Sequence, residues 1–121
     1  MRLGYLTPLS PDSIATARRL GYDAIEVGAG WLDRPTLSTI EASLSVLRDA
    51  LQEHEIAVNA VAIYGGTVEV PVTEAVTYWG RAMRVAKALG CSVVAGMTGR
   101  DNALTVDENL PLFKERFEPI A

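Results

Sequence analysis

The sequence predicts an α/β fold in which four β-α units form one parallel sheet. Short apolar segments of strand length alternate along the chain with longer segments whose apolar residues recur at helical spacing. The strand entries near Gly21, Glu55 and Gly90 lie 34 and 35 residues apart (55 − 21 and 90 − 55). Strands that alternate with amphipathic helices imply right-handed crossovers, and therefore a parallel sheet.

The first unit is predicted as a strand over residues 2–7 followed by a short helix. Ser10 and Pro11 form a typical helix start, because the hydroxyl caps the helix and proline suits its first position. Gly21 ends this helix, since the residue just past a helix end often adopts a left-handed backbone. The second strand is predicted over residues 23–27.

The next two units follow the same order. Residues 38–41 match a capping box, and the aliphatic residues over 40–51 recur at spacings of four, three and four, which indicates a second helix. Residues 56–63 form a near-continuous apolar run, which is typical of a strand covered on both faces. Thr73 is predicted to cap a third helix, which ends at Gly90.

The fourth unit is predicted as a strand over residues 92–97 and a helix that begins at the capping box Thr105 to Glu108. Two architectures fit four such units: a doubly wound open sheet, or part of a (β/α)8 barrel. In both, ligands bind at the carboxyl ends of the strands. Every glycine-rich loop follows a predicted strand, at residues 28–30, 65–66 and 96–99.

Composition limits the classes of function. The formal net charge of −4 disfavours nucleic-acid binding, which normally needs a basic face. The single cysteine, Cys91, excludes an internal disulfide framework and fits a reducing compartment. No apolar run reaches the roughly 18 residues of a membrane span, and a strand from residue 2 leaves no room for a signal peptide. We therefore expect a cytoplasmic protein without a membrane partner.

The segment Leu20–Val27, LGYDAIEV, resembles the second strand of the xylose isomerase-like barrels, the family of sugar phosphate isomerases and epimerases. In that family a helix ending in a leucine-glycine step leads into a strand of the form aspartate, small residue, isoleucine, glutamate, aliphatic residue. Residues 82–94 are also similar to the family's step into its fourth strand. The resemblance implies that residues 1–121 form one domain, the first half of a (β/α)8 TIM barrel.

The same resemblance implies a sugar or sugar-phosphate isomerase or epimerase. In such enzymes a divalent cation (Mn, Mg, Co or Zn) polarises the substrate while a carboxylate moves the proton next to the carbonyl. The family binds its metal with two glutamates, an aspartate and a histidine from later strands, which this chain does not contain. Tyr64 and Met97–Thr98 stand near the positions of two histidines that the family often carries. We therefore expect no catalytic residue and no metal ligand here, only walls of a pocket for a small sugar or sugar derivative.

Glu26 is the first candidate for substrate binding. Side chains alternate along a strand, so Glu26 lies on the face opposite Ile25 and Val27. The aliphatic pair would pack on helices, which turns Glu26 towards the barrel interior near the end where ligands bind. A carboxylate there could hydrogen-bond a sugar hydroxyl or a metal-bound water. The alternative is a structural carboxylate satisfied by backbone groups or an arginine.

Three aromatic residues are further candidates. Tyr5, near the end of the first strand, and Tyr64, at the end of the third, could form aromatic pocket walls with a polar tip. Packing is the alternative for both. Trp31, in the loop after the second strand, could act as a lid over the site or pin its own loop.

Other residues have structural explanations. His54 ends the second helix on the face of a barrel opposite the site, where the helix dipole favours it. Asn59 lies within a predicted buried strand and needs hydrogen-bond partners. Arg100 and Asp101, after the fourth strand, could bind an anionic group or form a solvated charge pair, and Cys91 is expected to be buried.

Two other functions remain open at this point. The chain could be a non-catalytic half-barrel that self-associates, because the first and fourth strands would be open edges and two copies would close eight strands. A homodimer is the expectation of that alternative. The family's endonucleases that act at abasic DNA sites are a third reading, which the charge of −4 disfavours.

Overall fold

One parallel sheet with the strand order β1-β2-β3-β4 forms the centre of the computed structural model, which describes residues 3–30 and 36–121. The strands are β1 (Gly4–Thr7), β2 (Ala24–Gly30), β3 (Ala57–Ile63) and β4 (Val94–Gly96). The helices are α1 (Pro11–Arg19), α2 (Thr36–Ala42), α3 (Leu44–Glu53), a 3₁₀ helix (Thr67–Glu69), α4 (Val72–Ala88) and α5 (Val106–Phe117).

The sequential strand order distinguishes the two architectures that the sequence left open. A doubly wound sheet reverses its strand order at a switch point, whereas the strands of a barrel follow one another around the sheet. Four parallel strands that alternate with helices in sequential order are consistent with half of a TIM barrel. The predicted α/β class with four β-α units is confirmed.

Local signals in the sequence account for several helix ends. Ser10 caps α1 in a reciprocal pair with Ser13, in which each backbone N–H donates to the other hydroxyl at 3.0 and 3.1 Å. Gly21 and Gly90 follow α1 and α4 with φ angles of +83° and +73°, as the predicted helix ends require. Thr105 caps α5 through the predicted box with Glu108.

The prediction of the second helix is wrong in two respects: where the helix begins, and that it is one continuous helix. The structure has two helices, α2 and α3, on either side of Ser43, and α2 begins two residues before Ser38. Ser38 and Glu41 do not form a capping box, because both bind Arg81 of α4 instead. Arg81 Nη2 donates to Ser38 Oγ at 2.8 Å and to Glu41 Oε2 at 2.6 Å. This ion pair holds the pKa of Glu41 below its usual value and ties α2 to α4.

Three other boundaries also differ from the prediction. α4 begins at Val72 with Pro71 as its N-cap, so Thr73 lies in the first turn. β2 continues to Gly30 through residues predicted as a loop, and β4 has only three residues. None of the helices in the described ranges has the length and apolarity that crossing a bilayer requires.

The hydrophobic core lies between the helices and one face of the sheet. Ile25, Val27 and Ala29 of β2 are completely buried there, together with Ile14 of α1 and Leu47 of α3. Burial of this kind contributes roughly 1.5–3 kcal/mol for each large aliphatic side chain. The opposite face, which would line the interior of a barrel, is open, and Leu6 on it is 51% exposed. The two faces of the sheet therefore differ in exposure.

The 3₁₀ helix is held against the end of β4 by a buried polar chain. The indole Nε1 of Trp79 donates to Thr67 Oγ1 at 3.1 Å, and Thr67 Oγ1 donates to the carbonyl of Met97 at 3.0 Å. The indole also fills the space above Gly96, where an added Cβ would lie 2.6 Å from Trp79 Cζ2. Phe117 of α5 packs against the indole edge-on, with ring centroids 5.6 Å apart.

Replacing Gly96 with alanine is expected to destabilise the protein, because the new methyl group overlaps a packed indole. We expect a loss of about 1–3 kcal/mol in the free energy of unfolding, the usual cost of overpacking. Gly80→Ala in α4 is the matched control, because the nearest atom to its Cβ is Arg84 Nη1 at 3.6 Å. That helical substitution should stabilise by about 0.5–1 kcal/mol. Urea unfolding followed by circular dichroism measures both, and equal stability of Gly96→Ala and wild type would contradict the packing.

Candidate functional site

Glu26 lies on the inner face of the sheet, as the alternation of β2 predicted. Its neighbours Ile25 and Val27 are completely buried against the helices, whereas Glu26 is partly exposed on the other side. Leu6 of β1 and Ala60 of β3 flank it in register. The carboxylate therefore stands between two apolar neighbours on an otherwise open surface.

Tyr64 holds this carboxylate in place. It follows β3 directly, and its hydroxyl donates to Glu26 Oε1 at 2.5 Å. Its backbone N–H donates to the carbonyl of Gly30 at 3.3 Å, which ties the residue to the end of β2. The structure thus brings together two predicted site residues that are 38 positions apart in the sequence.

A groove lies next to this pair at the carboxyl ends of the first three strands. Its volume is about 440 Å³, within the roughly 300–1,000 Å³ of small-molecule sites. It is lined by Leu6, Thr7, Pro8, Gly28, Gly30, Thr36 and Tyr64. Gly28 leaves a space between the side chains of Leu6 and Tyr64. A Cβ added at Gly28 would lie in that space, 3.9 Å from both Leu6 Cδ1 and Tyr64 Cε2. We call this groove the Tyr64 groove.

The pair also changes the acidity of the tyrosine. The hydrogen bond to Glu26 raises the pKa of Tyr64 above its usual value of 10.0, and desolvation adds to the effect. Losing the proton would remove the hydrogen bond and place two negative charges side by side. Because the pKa is raised on folding, this interaction contributes stability below the pH at which an unfolded tyrosine titrates, and the contribution is lost as pH rises through the folded pKa.

Of the other two predicted site residues, the structure describes only Tyr5, which does not join the pair. Tyr5 is in register with Ile25, so it lies on the helix-facing side of the sheet rather than the inner face. There its ring packs on Tyr22, with centroids 4.6 Å apart and planes tilted by 35°. Trp31 lies outside the described residues.

The remaining candidates lie away from the Tyr64 groove. Asn59 is the extra residue where the register of β2 and β3 shifts, and it is exposed on the inner face near Gly4 rather than buried as predicted. His54 ends α3, at the end of the sheet opposite the Tyr64 groove, and its backbone N–H donates to Ala50. Cys91 is buried, as expected.

Glu69, the last residue of the 3₁₀ helix, was not predicted from the sequence as a site residue. Its carboxylate lies over Gly66 and Gly99, in the loops that follow β3 and β4. The available signal was the position of a glutamate three residues after a glycine, in a loop at the carboxyl end of a strand. In a TIM barrel, that end of the sheet carries the active site.

The described residues do not provide a metal site. Among residues 3–30 and 36–121, no group of three or more His, Cys, Asp or Glu side chains is placed to hold an ion. Beside the Tyr64 groove, Glu26 offers one carboxylate that already accepts from the phenol of Tyr64, whereas divalent cations take several oxygen, nitrogen or sulfur ligands. These residues therefore do not fit the metal that the resemblance implied.

Comparison with known families agrees with this geometry. A family model described as xylose isomerase-like TIM barrel matches residues 14–121. The chain belongs to this family, whose members are typically enzymes, among them isomerases, epimerases and endonuclease-like proteins. A search of curated proteins found no match to the chain. The Tyr64 groove lies at the carboxyl ends of the strands, where TIM barrels carry their active sites.

Glu26→Gln should lower the pKa of Tyr64 towards 10, because a neutral amide neither accepts as strongly as a carboxylate nor repels a phenolate. The measurement is a spectrophotometric pH titration of the tyrosines. In Tyr64→Phe the contribution of Tyr64 to the titration curve is absent, which identifies that contribution in the wild type. Unchanged titration curves in Glu26→Gln would show that the hydroxyl and the carboxylate are not bonded in solution.

Proposed function

We propose that the protein acts as a sugar or sugar-phosphate isomerase or epimerase, with the described residues forming one wall of its substrate pocket. The observation that carries the proposal is the Glu26–Tyr64 pair at the carboxyl edge of a sheet of this family. A carboxylate in a fixed orientation is a strong acceptor for the hydroxyl groups of a carbohydrate.

The surroundings of the pair suit the two kinds of surface that a sugar presents. Leu6 and Pro8 offer apolar contact to the C–H groups of a ring or chain. Glu26 retains one carboxylate oxygen, Oε2, beyond the one that accepts from Tyr64. That oxygen can accept from a substrate hydroxyl, and the phenol oxygen of Tyr64 can accept from a second one. A hydrogen bond of this kind both orients the substrate and rejects analogues that lack the hydroxyl.

In this proposal Glu26 and Tyr64 bind and orient the substrate and do not transfer its proton. The family implies that a divalent cation (Mn, Mg, Co or Zn) takes part in the chemistry. Since the described residues do not fit such an ion, no step of the proposal passes through it. The reducing compartment suggested by a single cysteine makes the cytoplasm the proposed location.

Deuterium exchange tests the proposal directly. The purified protein is incubated in D₂O with aldoses, ketoses and their phosphates, with Mn²⁺ or Mg²⁺ supplied. Isomerisation or epimerisation by proton transfer exchanges the hydrogen next to the carbonyl with deuterium from the solvent, which ¹H NMR detects together with the product itself. We expect exchange with at least one substrate, and a loss of about 10- to 100-fold in kcat/KM for both Glu26→Gln and Tyr64→Phe, the worth of a hydrogen bond to a charged group.

Two substitutions of the same chemical kind serve as controls. Tyr5→Phe removes a hydroxyl on the helix-facing side of the sheet, and Glu53→Gln removes an exposed carboxylate at the end of α3. Both should leave kcat/KM unchanged. The proposal fails if no sugar exchanges deuterium, or if Glu26→Gln is as active as Glu53→Gln.

A further inference from the structure

A second groove lies at the same edge of the sheet, between the 3₁₀ helix and α5. Its volume is about 610 Å³, with Val68 and Leu112 as apolar lining and Glu69, Arg100, Asp101 and Arg116 as charged groups. Asp101 Oδ1 already accepts from the backbone N–H of Ala103 at 2.8 Å. An adjoining cavity of about 480 Å³ shares Glu69, Arg100 and Asn102 with it and also contains Gly66, two residues after Tyr64. We call the two cavities together the arginine groove.

Both arginines of this groove are held by hydrogen bonds, but of the two only Arg116 also forms an ion pair with a described residue. Arg116 donates from Nε to the carbonyl of Val70 at 2.8 Å, pairs with Glu115 at 2.7 Å, and keeps only 17% of its side chain exposed. Arg100 donates from Nε to Asn102 Oδ1 at 2.9 Å. Across the ranges 3–30 and 36–121, Arg100 forms no ion pair within 4.0 Å. Its terminal nitrogens are therefore available to a ligand.

Glu69 stands at the other side of the arginine groove in a restricted position. A Cβ on Gly66 would overlap the Glu69 carboxylate, and one on Gly99 would lie 2.7 Å from Glu69 Oε1. The 3₁₀ helix that carries Glu69 is anchored to the β4 loop, because the N–H of Val68 donates to the carbonyl of Thr98 at 2.8 Å. No ion pair within 4.0 Å joins Glu69 to either arginine in the described part of the chain.

We propose that the arginine groove binds the anionic end of a polyhydroxylated ligand, with a phosphate or carboxylate on Arg100 and Arg116 and a neighbouring hydroxyl on Glu69. The planar guanidinium group matches both anions through paired N–H donors. Glu69 and Asp101 both repel a bare anion. Glu69 also accepts from a hydroxyl, so it selects for ligands that carry an anionic group and a hydroxyl. The inference rests on the proposed function only in identifying this ligand with the substrate of the Tyr64 groove.

The test compares ribose, ribose 5-phosphate and ribonate by isothermal titration calorimetry at low salt. These probes share a five-carbon polyol and differ in having no anionic group, a phosphate or a carboxylate. We expect at least one charged probe to bind at least tenfold more tightly than ribose, and the preference between them identifies the anion. Arg100→Gln should reduce that affinity about 10- to 100-fold and leave the affinity for ribose unchanged. Arg48→Gln, an exposed arginine at the opposite end of the sheet, is the matched control.

A second variant tests the selection by Glu69. With inorganic phosphate as the probe, Glu69→Gln should bind several-fold more tightly than wild type, because the repulsion is removed. Circular dichroism confirms that each variant is folded. The proposal is overturned if ribose binds as tightly as both charged probes, if Arg100→Gln behaves like Arg48→Gln, or if Glu69→Gln does not tighten phosphate binding. Deuterium exchange in a protein with no preference for charged probes would overturn this inference alone and leave the proposed function standing.

Discussion

The burial of Ile25, Val27 and Ala29 between the sheet and its helices determines where the polar groups of β2 lie. Side chains on a strand alternate, so committing these three to the core places Glu26 on the inner face. A shift of one residue would bury the carboxylate among aliphatic side chains, at a cost of several kcal/mol. The position of the carboxylate is thus a consequence of core packing.

The same logic applies where the strands end. Thr67, Trp79 and the carbonyl of Met97 form a buried polar chain that joins the loops after β3 and β4 to helix α4. Because the indole N–H, the threonine hydroxyl and the Met97 carbonyl all have hydrogen-bond partners, the loops are anchored by the core and not only by their own turns. These contacts also position Glu69, because it lies in the same 3₁₀ helix as Thr67. The arginine groove is therefore anchored to the core at this edge, although its side chains come from different loops.

The sequence was informative about several features that depend on neighbours along the chain. The start of α1 at Ser10, the helix ends at Gly21 and Gly90, and the face on which Glu26 lies all follow from local spacing, and the structure confirms them. The family resemblance, carried by one short motif, is confirmed by a match over residues 14–121.

Features that depend on residues distant in the sequence could not be predicted from local spacing. Glu41 has the spacing of a capping residue but pairs with Arg81, 40 positions away, and the predicted helix breaks at Ser43 instead of running on. Tyr5 was predicted near the end of the first strand and Tyr64 at the end of the third, yet the register of β1 places Tyr5 on the helix side and only Tyr64 meets Glu26. Spacing along a chain does not specify which side chain across the sheet will be a partner.

Gly28 of β2 lies on the open face of the sheet and lines the Tyr64 groove. Its backbone does not require glycine, since its φ angle is not in the left-handed region, and a methyl group there would make ordinary contact with Leu6 and Tyr64. A larger residue at position 28 would therefore narrow the Tyr64 groove, because its side chain would enter the space between Leu6 and Tyr64. In the proposed function, the residue at position 28 would limit the size of the ligand, whereas Glu26 and Tyr64 would recognise its hydroxyl groups.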